Sequence, residues 1–368
     1  VSLLRGIGEG RFFSGQGLTL GPLPYDFGGP ATGFSVQFNA VTNLAVGDFD
    51  GDGLPEIVSA KGYQPIGLVY NTETIARREF AVDGSITDPV VASPFLGGDF
   101  FYRMKPADFD RDGNLDLAFV QRNGSGAPQL VRIAYGDGTG NLGVAVDFAY
   151  PASGPWAGNY AVGDFDGDGF PDLALLTTAG GIDVKLDDGA TRTFAAGQSI
   201  AGPAGSSATR IGIVAADFDR DGILDLVANA GTGANPGANQ QQSLFYRGNG
   251  DGTFVAGVAV SPPLGGSGIT DYAAGDLDHD GKLDLLGNTF GGPLWVQLGN
   301  GDGTFRTAVS YSSPGSWIEE GSIALADIDR DGHLDVALAG SPSSFASNRG
   351  ILILPGRGDG TFATPREV

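Results

Sequence analysis

The sequence predicts an almost entirely β-stranded protein built as a propeller of four-stranded antiparallel blades. Three observations carry that expectation. A nine-residue acidic loop occurs six times, a glycine-rich hairpin recurs in step with it, and the segments between are short apolar runs bounded by Gly or Asn. No window of about 11 residues carries a helical stripe of apolar side chains.

The loop is written most fully at Asp164-Phe165-Asp166-Gly167-Asp168-Gly169-Phe170-Pro171-Asp172, and the other copies start at Asp48, Asp108, Asp217, Asp276 and Asp327. In each copy positions 1, 3 and 5 are Asp and position 6 is Gly; position 9 is Glu56, Asp116, Asp172, Asp225, Asp284 or Asp335. Four carboxylates within nine residues repel one another unless a cation sits among them. Hard oxygens at alternate positions suit Ca²⁺, which takes six to eight oxygens at ~2.3–2.6 Å. Gly at position 6 permits the bend that turns the later ligands back onto the ion. The pattern is related to the EF-hand loop but is not one. An EF-hand closes with Glu at position 12, and position 12 of the first copy is Ser59. The runs that follow, such as Leu224-Asp225-Leu226-Val227-Ala228 and Leu334-Asp335-Val336-Ala337-Leu338, read as strands.

The composition agrees with this reading. The 63 glycines show no collagen-like triplet period and therefore belong to turns. The formal net charge is −22, and the six loops hold more than half of the 43 acidic residues, so the acidity is mainly a metal signature. It speaks against nucleic acid as a partner, because phosphate binding needs clustered Lys and Arg. With no Cys, disulfides and thiol chemistry are excluded. No apolar run approaches the ~20 residues of a membrane span, so no membrane insertion is expected. Sites of this kind fill where calcium is abundant, which points to an extracellular or cell-surface location. At free Ca²⁺ ~100-fold above Kd, each site adds ~2.7 kcal/mol of stability.

Loop starts are separated by 60, 56, 53, 59 and 51 residues, and a repeat of about 50 residues with several short strands indicates a propeller blade. The hairpin Gly248-Asn249-Gly250-Asp251-Gly252-Thr253-Phe254 recurs as Gly299 to Phe305 and Gly356 to Phe362; weaker forms run from Gly136 to Leu142, Asp187 to Phe194 and Tyr70 to Phe80. In a blade, the acidic loop joins the first strand to the second and the hairpin joins the third to the fourth. The two therefore share one face. Residues 1–20 read as half a blade, and 41–83, 100–150, 159–198, 209–260, 270–310 and 321–368 as full blades of one domain spanning 1–368. Val1 is accordingly expected not to be the natural start, and a longer polypeptide to supply the missing strands.

These Asp-x-Asp-x-Asp-Gly-x-x-Asp loops and Gly-Asn-Gly-Asp-Gly-Thr-Phe hairpins resemble the FG-GAP/VCBS repeats of integrin alpha-subunit propellers, mushroom lectins and secreted bacterial proteins. The resemblance covers nearly the whole chain. It implies a seven-bladed β-propeller with up to six Ca²⁺ ions beneath the blades. By motif position the ligand carboxylates would be Asp48, Asp50, Asp52 and Glu56; Asp108, Asp110, Asp112 and Asp116; Asp164, Asp166, Asp168 and Asp172; Asp217, Asp219, Asp221 and Asp225; Asp276, Asp278, Asp280 and Asp284; and Asp327, Asp329, Asp331 and Asp335. Position 7 (Leu54, Asn114, Phe170, Ile223, Lys282, His333) would give a backbone carbonyl. Glu56 departs from the usual Asp and implies altered geometry at its site.

The remaining motifs are weaker. Arg357-Gly358-Asp359 fills the hairpin motif, with Arg357 aligned to Asn249 and Asn300, so it reads as a turn and not as an attachment signal. His279 and His333 fall at loop positions 4 and 7 and read as solvated residues. Gly6-x-Gly8-x-Gly10 lacks the strand–turn–helix setting of a phosphate loop. No HExxH, P-loop or nucleophile motif occurs. Asp88, Asp99, Asp271 and Glu319-Glu320 are the acids left in or near the links between blades, on the face opposite the acidic loops. Those links also carry Trp156, Asn159, Trp317 and Tyr102, flat rings beside amides that suit a sugar or a protein partner. The expectation is a non-enzymatic binding or adhesion module for a glycan or protein. The rival is a polysaccharide lyase or hydrolase using the same face.

Overall fold

The computed structural model describes residues 4–6, 12–14, 40–47, 49–51, 56–62, 74–78, 90–91, 100–122, 129–149, 159–177, 180–189, 193–202, 212–231, 241–260, 267–290, 293–311, 323–327, 331–340 and 350–367. Among them there is no helix. β1 (Leu4–Gly6) and β2 (Phe12–Ser14) form a two-stranded ribbon. β3 (Ala40–Gly47), β4 (Glu56–Gly62), β5 (Thr74–Arg78) and β6 (Val90–Val91) form a four-stranded sheet. Next come β7 (Phe100–Ala107), β8 (Asp116–Arg122), β9 (Gln129–Gly136) and β10 (Leu142–Ala149), then β11 (Tyr160–Gly163), β12 (Asp172–Leu176), β13 (Ile182–Asp187) and β14 (Phe194–Ile200). The fourth sheet holds β15 (Ile213–Ala216), β16 (Asp225–Gly231), β17 (Gln241–Tyr246) and β18 (Val258–Val260). β19 (Ser267–Gly275), β20 (Asp284–Phe290), β21 (Leu294–Gln297) and β22 (Val309–Tyr311) make the fifth, and β23 (Ile323–Ala326), β24 (Asp335–Gly340), β25 (Gly350–Leu354) and β26 (Arg366–Glu367) the last. All pairings are antiparallel, and neighbouring strands follow chain order.

Five complete blades thus run without interruption from β7 to β26, preceded by the four-stranded sheet β3–β6. This corrects the seven-bladed expectation. One inner strand accompanies each acidic loop, so the loops limit the number of blades. The extra blade rested on residues 1–12, of which the described Leu4–Gly6 pairs with Phe12–Ser14 in the two-stranded β1–β2 ribbon. Inner strands contact their neighbours in the series β3, β7, β11, β15, β19, β23, and β24 touches β3. Among the described residues, the last blade therefore meets the first four-stranded sheet directly.

The core is a set of wedges between facing sheets. One wedge packs Phe165, Leu176 and Val184 of one blade against Leu226, Tyr246 and Phe254 of the next. Second strands are covered on both faces, which is why β12 reads Asp-Leu-Ala-Leu-Leu without polar alternation and is buried throughout. The outermost β14 is largely exposed or half-buried and reads Phe-Ala-Ala-Gly-Gln-Ser-Ile.

On one face the two repeated motifs lock neighbouring blades together. In two hairpins the closing Phe packs edge-on against position 2 of the preceding blade's loop: Phe254 on Phe165 at 5.4 Å and Phe305 on Phe218 at 5.3 Å. A main-chain bond runs beside each ring pair, from Gly252 N–H to the Phe165 carbonyl at 2.8 Å and from Gly303 N–H to that of Phe218 at 3.2 Å. Gly360 N–H reaches the Leu277 carbonyl in the same way at 3.0 Å.

Phe254→Ala should therefore cost ~3–5 kcal/mol of stability, whereas Val258→Ala on the exposed outer edge should stay within ~0.5 kcal/mol. Urea unfolding of the two variants checks this, and equal small losses would refute the latch.

Candidate metal centre

Position 9 of each acidic loop is the first residue of a second strand. It pairs with the last residue of the inner strand: Gly47 with Glu56, Ala107 with Asp116, Gly163 with Asp172, Ala216 with Asp225, Gly275 with Asp284 and Ala326 with Asp335. This rung sets where the chain returns, so the closing acid comes at position 9.

In four loops, carboxylate oxygens from positions 1, 3 and 9 lie within 4.8 Å of one another. The groups are Asp108, Asp110 and Asp116; Asp164, Asp166 and Asp172; Asp217, Asp219 and Asp225; and Asp276, Asp278 and Asp284. Three converging carboxylates offer only hard oxygens, the donor chemistry of an alkaline-earth ion. The clusters have the composition and spacing to hold metal ions.

Each carboxylate also has a partner within the protein. Asp108 accepts the N–H groups of Asp112 and Gly113 at 3.1 and 3.0 Å, and Asp217 and Asp276 repeat this. Position 6 is left-handed, with φ of 91° at Gly113 and 86° at Gly222, as the bend requires. Position 4 is left-handed as well, even where it is Arg111, Arg220 or His279, at φ 55°, 65° and 58°. The sequence gives no sign of this beyond Gly51 and Gly167 at the same place in two copies.

Position 9 carries a second role. Asp116, Asp172, Asp225 and Asp284 are 0% exposed. One oxygen accepts the N–H of position 2, from Phe109, Phe165, Phe218 and Leu277 at 2.7, 2.7, 3.1 and 2.8 Å. The other accepts the N–H that opens the hairpin, from Gly136, Asp187, Gly248 and Gly299 at 2.7, 2.8, 2.9 and 2.8 Å. Asp335 holds Gly356 in the same way at 2.8 Å. A Cβ at Gly248 would run into the Leu224 carbonyl, so this close approach needs glycine there. Burial pushes the Asp116 and Asp172 carboxyls up to about 7 and those of Asp225 and Asp284 up to about 6, against the pull of these N–H bonds. Neighbouring loop carboxylates push in the same direction as burial.

Position 5 stays outside the groups of three. Asp112, Asp168, Asp221 and Asp280 accept the N–H of position 7 at 2.8, 2.8, 2.9 and 3.0 Å. Asp331 takes His333 N–H at 2.9 Å. The side chains of Asn114, Phe170, Ile223, Lys282 and His333 lie against the hairpin glycines Gly138, Gly189, Gly250, Gly301 and Gly358. His279 Nε2 and His333 Nδ1 are 2.8 Å apart, so these two loop residues form one contact between adjacent blades. In the Arg357-Gly358-Asp359 turn, Asp359 accepts the N–H of Thr361 at 3.0 Å. Asp48, Asp52, Leu54 and Asp329 lie outside the described residues, while Asp50 is half-buried and Asp327 is exposed.

Of the expected ligand residues, Trp156 and Trp317 also lie outside the described residues, as do Asp88, Asp99, Glu319 and Glu320. Tyr102 pairs with Val120 in the β7–β8 ladder. Asn159 is buried and accepts the N–H of Tyr160 at 3.0 Å, and the Tyr160 hydroxyl donates to the Arg103 carbonyl at 2.6 Å. Asp271 is buried, 3.7 Å from the Arg103 guanidinium, and its N–H bonds Asn288 at 2.9 Å.

The FG-GAP-like repeat profile matches residues 108–175, 164–228, 235–287 and 285–338. The chain belongs to the FG-GAP-like repeat family. No curated protein matches it in sequence. Among solved structures, the FG-GAP chain is similar to a mutant Aleuria aurantia lectin in complex with alpha-methyl-L-fucoside. The identity is 10%, the match covers 90% of this chain and 97% of the lectin, and the TM-score is 0.54. A Pseudomonas aeruginosa periplasmic gluconolactonase is similar at 15% identity, over 85% of this chain and 82% of that one, with a TM-score of 0.53. A Photorhabdus luminescens Tc holotoxin pore chain matches at 17% identity over 87% of this chain and 14% of its own, with a TM-score of 0.42. The FG-GAP chain shares a propeller fold with the first two, and the fold alone leaves function open.

Two outcomes follow from the buried aspartates. Their folded pKa values exceed the ordinary 3.8, so the folded state binds more protons. Stability from this source is complete below pH ~4 and is lost as pH rises through about 6 to 7. In excess EDTA the protein should therefore melt higher at pH 5 than at pH 8; the opposite order contradicts the assignment. Asp225→Ala strands the N–H groups of Phe218 and Gly248, and should cost ~2–5 kcal/mol in urea unfolding at pH 5 with EDTA.

Proposed function

We propose that this FG-GAP propeller is a calcium-stabilised module that binds glycan or protein partners outside the cell, through the face opposite the acidic loops. The observation that carries this reading is the occupation of the loop face. There, hairpins and acidic loops are tied to each other within and between blades, leaving the other face for recognition. Calcium is the ion of choice because the converging donors are all carboxylates, joined by the backbone carbonyl the family motif places at position 7. Asp108, Asp110 and Asp116, with the matching residues of the other loops, would hold it. The bound ion would neutralise carboxylates that are otherwise buried against their charge.

The likeness to a fucoside-bound lectin over nearly the full length of both chains supports a glycan as ligand. Trp156 and Trp317 stand in links where rings could stack on sugars. The gluconolactonase likeness favours an enzyme, but Asp271, the one described acid among those considered for catalysis, is already engaged by Arg103.

Excess EGTA should lower the melting temperature by several degrees, and Ca²⁺ should restore it; an unchanged melt removes the calcium reading. On a glycan array that includes fucosides, Trp156→Ala and Trp317→Ala should lose signal without a shift in melting temperature. Undiminished signal in both variants would falsify the placement of the site, and turnover of a lactone or polysaccharide by the purified protein would favour the enzyme.

A further inference from the structure

We infer that Arg247 is a resident counter-cation of the Asp217 loop. It weakens that loop's grip on a divalent ion and holds the loop together when no ion is bound. The inference rests on the calcium reading above. Arg247 follows β17 and immediately precedes the hairpin glycine Gly248. Its Nε lies 2.6 Å from Asp219 Oδ2 and its Nη2 2.6 Å from Asp221 Oδ2. One guanidinium thus bridges positions 3 and 5. Asp219 is one of the three acids whose oxygens converge, so the bridge touches the cluster itself.

The argument is electrostatic. A fixed positive charge within a few ångströms of the cluster repels an entering dication and compensates the carboxylates in its absence. A planar guanidinium holds two carboxylates with directed bonds, which a single surface ammonium does less well. The residue matching Arg247 is Tyr135, Leu186, Leu298 or Pro355 in the other blades of the β7–β26 series, so a cation at this position occurs in one blade of that series. The Asp276 loop has a looser counterpart: Arg306 stands 3.8 Å from Asp278 and 3.5 Å from Asp280, and Lys282 2.6 Å from Asp280. At the Asp164 loop, Arg111 reaches the main-chain oxygen of Asp168 at 3.3 Å and the Phe170 ring at 5.0 Å, not a carboxylate. On this inference the described loops would differ in affinity through the cations placed beside them, which the acidic pattern they share does not fix.

The test is calcium titration calorimetry on the metal-free chain and on Arg247→Gln, with melting temperatures in EGTA. One class of sites should tighten about threefold to tenfold while the metal-free melting temperature falls. Adding Asp219→Asn to Arg247→Gln should abolish the tightened step. Calcium binding that Arg247→Gln leaves unchanged overturns the inference, as does a tightened step that survives Asp219→Asn. Calcium heats missing from both parent and variant overturn the calcium reading itself.

Discussion

A buried carboxylate shared between two turns is the constraint on which the loop face depends. In the β15–β18 blade, Asp225 accepts one N–H from the start of the acidic loop and one from the start of the hairpin. Neither turn can move without breaking a bond to a buried charge, and leaving such a group unpaired is far more costly than the bond itself is worth. The aspartate also faces two further carboxylates. The same residue is therefore a brace for the blade and a source of local repulsion. A cation among the three acids turns the second property into attraction, which gives a physical reason for joining a brace and an ion site in one side chain.

The brace extends from blade to blade. Asp225 holds Phe218; the Phe218 carbonyl holds Gly303; and the same hairpin, through Gly299, is held by Asp284. Asp284 then holds Leu277, whose carbonyl takes Gly360, and that hairpin is fixed by Asp335 through Gly356. A hydrogen-bonded belt thus crosses three successive blades on one face, with Phe305 and Phe362 packed beneath it. In repeat architectures each unit is stabilised by its neighbours, and this belt is the residue-level form of that dependence. It also explains why the two motifs keep step in the sequence: each hairpin answers to the acidic loop of its own blade and to that of the one before.

Much of this was legible in the sequence, because it depends on spacing. The six loops, the hairpins and their common face follow from an up-and-down blade. What escaped depends on contacts between residues far apart in the chain. The seventh blade fails because residues 1–12 carry the local pattern of a strand and hairpin, whereas among the described residues Leu4–Gly6 pairs only with Phe12–Ser14. Position 9 read as a ligand alone, since its bond to the main-chain N–H that opens the hairpin, 15 to 23 residues later, leaves no local trace. Position 5 read as equivalent to positions 1 and 3, yet its carboxylate turns back to the N–H two residues on. Asn159 read as an amide beside an aromatic ring; its burial at the start of an inner strand comes from the packing of neighbouring sheets, which the local sequence does not show.

The left-handed residues at position 4 bear on how the two faces divide their roles. Arg111, Arg220 and His279 adopt a backbone conformation that costs a side-chain-bearing residue of order 1 kcal/mol or more. Gly occupies the position without that cost in the loops at Asp48 and Asp164. Two of the three larger residues make a contact a glycine lacks: Arg111 covers Phe170 of the next loop, and His279 meets His333 of the next. The strain is thus offset by ties between neighbouring loops. These strained positions thus serve contacts between the loops of one face. The proposal that recognition uses the other face draws on the sequence: Trp156, Asp271 and Trp317 fall in or near the links between blades without repeating from one to the next. Recognition needs a few groups placed differently from their repeat equivalents.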